Sequence, residues 1–562
     1  MATEHVQIPT TTRDFAAQQH TTRDDASETT RVDGAEAPLH RAPTIEDIVN
    51  LPTRTLSNDA NLEEYTQETI SGHMLREVRS NAGKVEKYDL VTFTIDDKEN
   101  PKNWSKAFKW WCTMCVAITC FAVAFNSAVI TADLEGVSKE FGVSEEVSLL
   151  TITLFVVGFG VGPMAFAPAS EIWGRRPVYA VTLALAVIFT IPGAVAQNIG
   201  TLLVTRFIAG VAFSAPMTLV GGTLADMWRS EERGVPMAAF SAAPFIGPGV
   251  GPLVGGYLSQ AGGWRWLYWI QLILSAVVWV LITFTVPETY APKILAKRAE
   301  KMRKETGDEK FVTEQDLDMR PFSQRLQLFL LRPFQLLFRE LIVFLISVYM
   351  SVLYGLLYMF FVAYPIVYQK GKGWNAGSTG LMFIPLICGV LLSAACAPLV
   401  NKHYLKLSEK HNGHPPAEVR LIPMMCSCWF IPIGVFIFAW TSQKETHWAG
   451  PAFGGGSVGF GFIFLYNSAN NYLVDSYQHQ AASALAAKTF LRSFWGAAAV
   501  LFTNQMYDRL GDQWASSLLA FIGLACCAIP FIFYFYGARI RARSHYAYSE
   551  EVESKAQEKQ VA

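Results

Sequence analysis

Three cations stand inside stretches that are otherwise apolar. They are Arg206 in TRFIAGVAFSAPMTLVGGTLADMW, and Lys488 and Arg492 in AAKTFLRSFWGAA. A charge in an apolar medium is costly unless it faces a polar cavity or a partner, so each is a candidate for holding or moving charge. Arg206 lies about 9 Å inside its run at 1.5 Å rise per residue. It would face a polar cavity or a partner, and the alternative is an arginine that only anchors its helix by snorkelling. Lys488 and Arg492 are four apart and share one helical face. They could attract an anionic solute, pair with Asp475, or serve a gate. A further charged set occurs in PASEIWGRRPVY, where Glu171, Gly174, Arg175 and Arg176 sit at a helix end. An acid and two arginines there can form charge-assisted bonds that lock one end of a helix assembly, or they can simply mark its topology.

Other chemistries are poorly represented. No G-x-x-x-x-G-K-[ST] phosphate loop occurs, so no nucleotide is implied. His403, His411 and His414 lack metal-ligand spacing, and no metal site is expected. The nine cysteines lie mostly within or beside apolar runs and read as small packing residues. A net charge of −1 gives no field suited to nucleic acid.

The elements that must position these residues are membrane spans. Of 562 residues 51% are hydrophobic and only 17% charged, and the charges cluster between apolar runs. Twelve such runs follow residue 108: 109–131, 147–167, 178–197, 201–224, 234–257 and 267–287, then 341–368, 378–400, 421–440, 449–470, 483–506 and 515–537. Runs of about twenty apolar residues match a hydrocarbon core of roughly 30 Å. The expected fold is all-α and polytopic, with twelve transmembrane helices in two six-helix halves. Its parts would be a disordered cytoplasmic tail over 1–100, one half over 101–287, a charged cytoplasmic loop over 288–340, the second half over 341–538 and a cytoplasmic tail over 539–562. Basic residues near the spans gather on alternate connections, including GRRP, WRSEERG, the central loop, NKHYLKLSEK and ARIRAR, which places both termini in the cytoplasm.

The fifth span holds GPGVGPLVGG. Gly247, Gly251 and Gly255 form one helical stripe, and Pro248, Pro252 and Gly256 form the next. Small residues at four-residue spacing let helix backbones approach closely in lipid. The face would suit either a contact that slides during a conformational cycle or static packing. With a preceding glycine, this segment resembles the antiporter motif of the major facilitator superfamily, carried here by Gly247, Gly251, Pro252, Gly255 and Gly256. An earlier family glycine is replaced by Ala238. PASEIWGRRPVY is similar to the superfamily's cytoplasmic loop motif, with Glu171 in place of the usual aspartate. The run around Arg206 resembles the motif of a buried proton-coupling arginine, with Ala209 where glutamine is common. NPKNWSKAFKWW, VPETYAPKILAKRAEKMRKE and YNSANNYLVDSYQHQAASALAAKTFLRSFWGAA resemble the fungal twelve-span drug:proton antiporters, a branch that usually has asparagine where Lys488 stands.

The resemblance implies proton-coupled efflux of small hydrophobic molecules (drugs, toxins or secondary metabolites) from the fungal plasma membrane. It implies no cofactor beyond the proton gradient, and partners limited to substrate, protons and lipid. Nothing in the sequence indicates an obligate oligomer, so the expected unit is a monomer. A polyamine or organic-acid transporter of the same fold, or a non-transporting sensor, is the alternative. Substrate would bind near the midplane between the halves. Polar and aromatic interruptions of the spans mark the candidates: Asn126, Tyr354, Tyr358, Phe361, Tyr466, Asn467, Lys488 and Arg492. The aromatic set could form a wall for flat compounds, or simply pack. Substrate charge stays open.

Overall fold

The computed structural model describes residues 68–69, 73–79, 85–229, 232–313, 316, 322–411, 415–477 and 480–544. Seventeen helices follow in chain order among these residues. In the first half they are α1 (Lys106–Ala128), α2 (Leu134–Phe141), α3 (Glu145–Trp173), α4 (Arg175–Ala194), α5 (Ile199–Met227), α6 (Gly234–Gly262) and α7 (Trp264–Thr285). The central segment carries α8 (Ala291–Thr306) and α9 (Phe322–Arg339). The second half contains α10 (Leu341–Tyr364), α11 (Ala376–Leu381), α12 (Ile384–Lys410), α13 (Ile422–Ser427), α14 (Phe430–Thr441), α15 (Ala449–Ser476), α16 (Ala481–Cys526) and α17 (Ala528–Ala542).

Local chemistry starts several of these helices. The Ser105 hydroxyl accepts from the Phe108 amide, Asn198 from Thr201 and Asn375 from Ser378, each satisfying an amide that the first turn leaves unpaired. Gly174 separates α3 from α4 with φ 98°, a conformation that side chains resist. The Glu288 carboxylate also occupies the space a Cβ would need there.

Among the described residues, ten helical stretches are long and apolar enough to cross a membrane. Two observations bear on the expected count of twelve. The stretch Ser483–Ala542 is 60 residues long, about twice what one crossing takes. Its backbone breaks at Gly511, where φ is 73° and ψ 160°. Helix α15, with 28 residues, is also long enough to cross. Its glycines and its Asn467, Asn470 and Asn471 dilute the apolar signal that marks the other spans.

The two halves meet in a matched way. In the first half α1 packs on α6 and α3 on α5; in the second, α10 packs on α16 and α12 on α15. Between the halves, α3 lies against α16, while α6 lies against α11 and α12. Each half thus offers its second and fifth crossings to the other.

The segment before the first span differs from expectation. Residues 1–67 of the expected disordered tail lie outside the described residues. Nearer the membrane, strand β2 (His73–Arg79) pairs antiparallel with β3 (Val85–Val91), which runs parallel to β5 (Phe311–Val312) of the central segment. The short strands β1 (Glu68–Thr69) and β4 (Phe93–Thr94) also pair. Val91 and Phe93 are buried against Ala291, Leu295 and Ala299 of α8. Arg298 bonds Asp97 at 2.6 Å and Glu99 at 2.5 Å. Averaging polarity over a hundred residues hides this short apolar patch, whose partner face lies two hundred residues away. The central segment is likewise not a plain spacer, since Phe334 of α9 packs edge-on against Phe490 of α16 at 5.1 Å. Helix α17 continues to Ala542, four residues into the expected C-terminal tail, and Arg541 there forms a two-point ion pair with Glu418.

Candidate functional site

Arg206 projects from α5 and is 2% exposed. No carboxylate among the described residues bonds it. Its Nε donates to the Thr151 carbonyl at 3.0 Å, both terminal nitrogens donate to the Asn126 carbonyl at 3.2 Å, and one also reaches Gln271 Oε1 at 3.1 Å. The guanidinium lies 4.4 Å from the Phe155 ring centre. The charge is therefore spread over three neighbouring helices through neutral acceptors, and it does not snorkel to an end. Asn126 holds this position with its Nδ2 on Ser275 at 2.8 Å. Gln271 and Ser275 are polar interruptions of the sixth apolar run, a signal that sequence reading could have used.

One residue along from Asn126, the Ser127 hydroxyl accepts from Tyr358 of the other half at 3.1 Å. Tyr358 accepts from Tyr354 at 3.4 Å, and Tyr358 and Phe361 meet edge to face. Arg492 lies 4.6 Å from the Tyr354 ring and 5.4 Å from the Tyr466 ring. Lys488 lies 4.7 Å from the Tyr466 ring and bonds Asn470 Oδ1. Tyr466 in turn meets Phe245 of α6 at 5.2 Å. The candidates Asn126, Tyr354, Tyr358, Tyr466, Lys488 and Arg492 thus adjoin one another along the line between the halves. Phe361 turns instead to Phe383, within its own half. Asn467 accepts from Ser241 of α6 at 2.8 Å and ties the halves together. Asp475 does not pair with Lys488 or Arg492; it bonds Arg420 at 2.8 Å, which removes that option.

At the end of the bundle marked by Gly174, Arg175 is buried and its Nε donates to Asp226 Oδ2 at 3.3 Å. Its Nη1 donates to Ser170 at 2.5 Å. Glu288 accepts from the backbone amides of Arg175 and Arg176 at 2.9 and 3.2 Å. Arg176 is exposed and donates to the Thr283 carbonyl at 3.2 and 3.0 Å. Buried Glu171 lies within electrostatic reach of Arg175 and Asp226. A direct acidic partner of Arg175 is therefore Asp226. That residue stands in the Arg206 run and went unweighed in the sequence because a lone aspartate near a span end reads as solvated.

The glycine stripes of α6 have two separate partners. A Cβ on Gly247 would stand 2.6 Å from the Phe121 carbonyl, and one on Gly255 2.8 Å from that of Val129. A Cβ on Gly251 would stand 3.0 Å from the Val129 amide. All three lie on α1 or its extension. Gly256 faces the Ala376 carbonyl at the start of α11, and the Pro252 carbonyl abuts Gly380. One stripe therefore packs within the first half, while the other faces across to the second.

Two six-helix halves meeting through their second and fifth crossings, around a buried arginine, define a secondary transporter architecture. The chain belongs to the Major Facilitator Superfamily, which it matches over residues 114–500. It is a multi-pass membrane transporter, not an enzyme. It is 68% identical over 512 residues to the MFS-type transporter paaT of Penicillium rubens, covering 91% of this chain and 93% of that one. It is 42% identical over 459 residues to the major facilitator superfamily multidrug transporter mdrA of Aspergillus fumigatus, covering 81% and 76%. Among solved structures it resembles the xylose transporter XylE of E. coli, with a TM-score of 0.55 at 15% identity over 76% of this chain and 98% of that one. At that identity the likeness concerns fold alone.

Proposed function

We propose that this transporter exports small, largely apolar molecules from the cytoplasm in exchange for inward protons, by alternating access. Its place would be the plasma membrane, with both termini inside and the monomer as the working unit. The observation that carries the reading is the polar connection from Arg206 through Asn126 and Ser127 to Tyr358. It joins a buried charge of one half to the substrate-lining tyrosines of the other. A change in occupancy or bonding on one side alters which bonds the other side can make, and this is the minimum requirement for coupling two sites.

The fifth-span glycines support export. One stripe seats α6 closely on α1, and the other removes side chains that would catch where α6 meets α11 across the halves, so the two halves can rock. The bonds from Arg175 to Asp226 and from Glu288 to the α4 amides hold the basic end together in this state. The relatives' names point the same way, since several are called efflux pumps or multidrug transporters. A polyamine substrate fits poorly beside Lys488 and Arg492, because like charges repel strongly where water is scarce.

Inside-out vesicles carrying the full chain, with and without an imposed proton gradient, test the reading. The panel is an azole, a polyamine, a dicarboxylate and an apolar metabolite. Gradient-dependent accumulation of at least one neutral or apolar compound, lost in Arg206→Ala, is the expected result. Accumulation that ignores the gradient would overturn it.

A further inference from the structure

We infer that the buried cluster of Lys488 and Arg492, flanked by Tyr354 of α10 and Tyr466 of α15, is an anion-binding site, built for an organic carboxylate with a flat apolar body. This rests on the efflux reading and names the substrate class of its central site. Lys488 and Arg492 are 1% and 4% exposed. They stand seven and eleven residues into α16, about 10 and 16 Å along its axis. No acid among the described residues pairs with either. The candidates on neighbouring elements are already engaged: Asp475 with Arg420, Glu340 with Tyr477 and Ser544, Glu418 with Arg541, and Glu145 with Lys370.

The contrast with Arg206 is informative. There, backbone carbonyls and an amide surround the guanidinium. Arg492 instead leaves Nε with no hydrogen-bond partner, bonds the neutral Tyr466 hydroxyl, and has the rings of Tyr354 and Tyr466 beside it. Lys488 has one amide oxygen, from Asn470, and one ring face, from Tyr466. Two buried cations on one helical face, served by rings, one phenol hydroxyl and one amide, are short of negative charge. Ring faces recover only part of the lost hydration. A carboxylate placed between them supplies the missing acceptors and can bond the guanidinium through two parallel N–H groups. Its apolar body then lies along Tyr354, Tyr466 and Phe245, whose rings already pack in this region.

The test is equilibrium dialysis of the purified full-length protein at pH 7 with three probes of one shape: 2-naphthoate, 2-naphthamide and 2-naphthylmethylamine. At that pH the first is an anion, the second neutral and the third a cation. The wild type is expected to hold naphthoate at least tenfold more tightly than naphthamide and to bind the amine least. Lys488→Gln and Arg492→Gln should each weaken naphthoate at least tenfold and leave naphthamide within about threefold, while Arg492→Lys keeps part of the preference. The wild-type ranking needs no variant and stands as a test even where one fails to fold. Naphthoate bound no better than naphthamide would overturn the inference, as would tight naphthoate binding that neither substitution changes. Gradient-driven azole transport in vesicles separates the two levels. Transport without carboxylate preference sinks this inference alone, and carboxylate preference without any gradient-driven transport sinks the efflux reading alone.

Discussion

Arg206 differs from a surface arginine in having its donors committed in fixed directions, to Thr151, Asn126 and Gln271. A lysine cannot reproduce that fan, because an ammonium is a point charge without the planar fork. Arg206→Lys is therefore expected to keep the charge yet lower gradient-driven transport at least tenfold, measured as initial rates in proteoliposomes. Gln271→Leu removes one acceptor and should give a smaller loss, about threefold to tenfold. At the basic end, Asp226→Asn removes the charged partner of buried Arg175. Leaving a buried charge unpaired typically costs about 3–5 kcal/mol. The expected outcome is a lower melting temperature in detergent, and an unchanged melting temperature would contradict the pairing.

At the scale of elements, the glycines of α6 give the sharpest expectations. Gly251→Leu places a branched side chain against the Val129 backbone, which cannot retreat. Overpacking of this kind costs about 1–3 kcal/mol. It should lower both thermal stability and transport, whereas Leu253→Ala nearby should affect transport little. Gly511 breaks the sixty-residue stretch with positive φ and has open space around a Cβ, so Gly511→Ala meets strain rather than a clash. The expected cost is about 1–3 kcal/mol, from a positive-φ extended backbone that is essentially reserved for glycine. The span pattern and the small-residue stripes were legible in the sequence because a bilayer enforces them residue by residue. The partners of the stripes were not. That Gly247 meets Phe121 while Gly256 meets Ala376 depends on how crossings pack, and no periodicity encodes that. For the same reason, Asp226 and Glu288 were invisible as companions of Arg175, being 51 and 113 residues from it.

For the whole molecule, the segment just before the first span and the central segment are coupled outside the bundle. Burial alone would raise the Asp97 carboxyl, but the hydrogen bond and charge of Arg298 hold it below its ordinary value of 3.8. A depressed carboxylate pKa adds stability that is present above the unfolded value and is lost as pH falls through the folded one. The contact between 85–100 and α8 should thus persist through neutral and mildly acidic pH and loosen only below about 4. Arg298→Ala should weaken that pH dependence, leaving only the Glu99 and Thr94 amides on Asp97, and expose the segment to limited proteolysis at pH 7. Between the halves, the connection runs through a hydroxyl pair, Tyr358 to Ser127, at the heart of the bundle. Sequence marked Tyr358 as a lining residue but gave no sign that it reaches the helix of Asn126.

The most direct test removes that one hydroxyl. In proteoliposomes with an imposed proton gradient, Tyr358→Phe keeps the ring and its packing on Phe361 while deleting the bond across the halves. The account predicts that substrate exchange without a gradient continues near the wild-type rate, while gradient-driven accumulation falls at least tenfold. Full gradient-driven accumulation in Tyr358→Phe would show that coupling does not pass from Arg206 to the second half by this route.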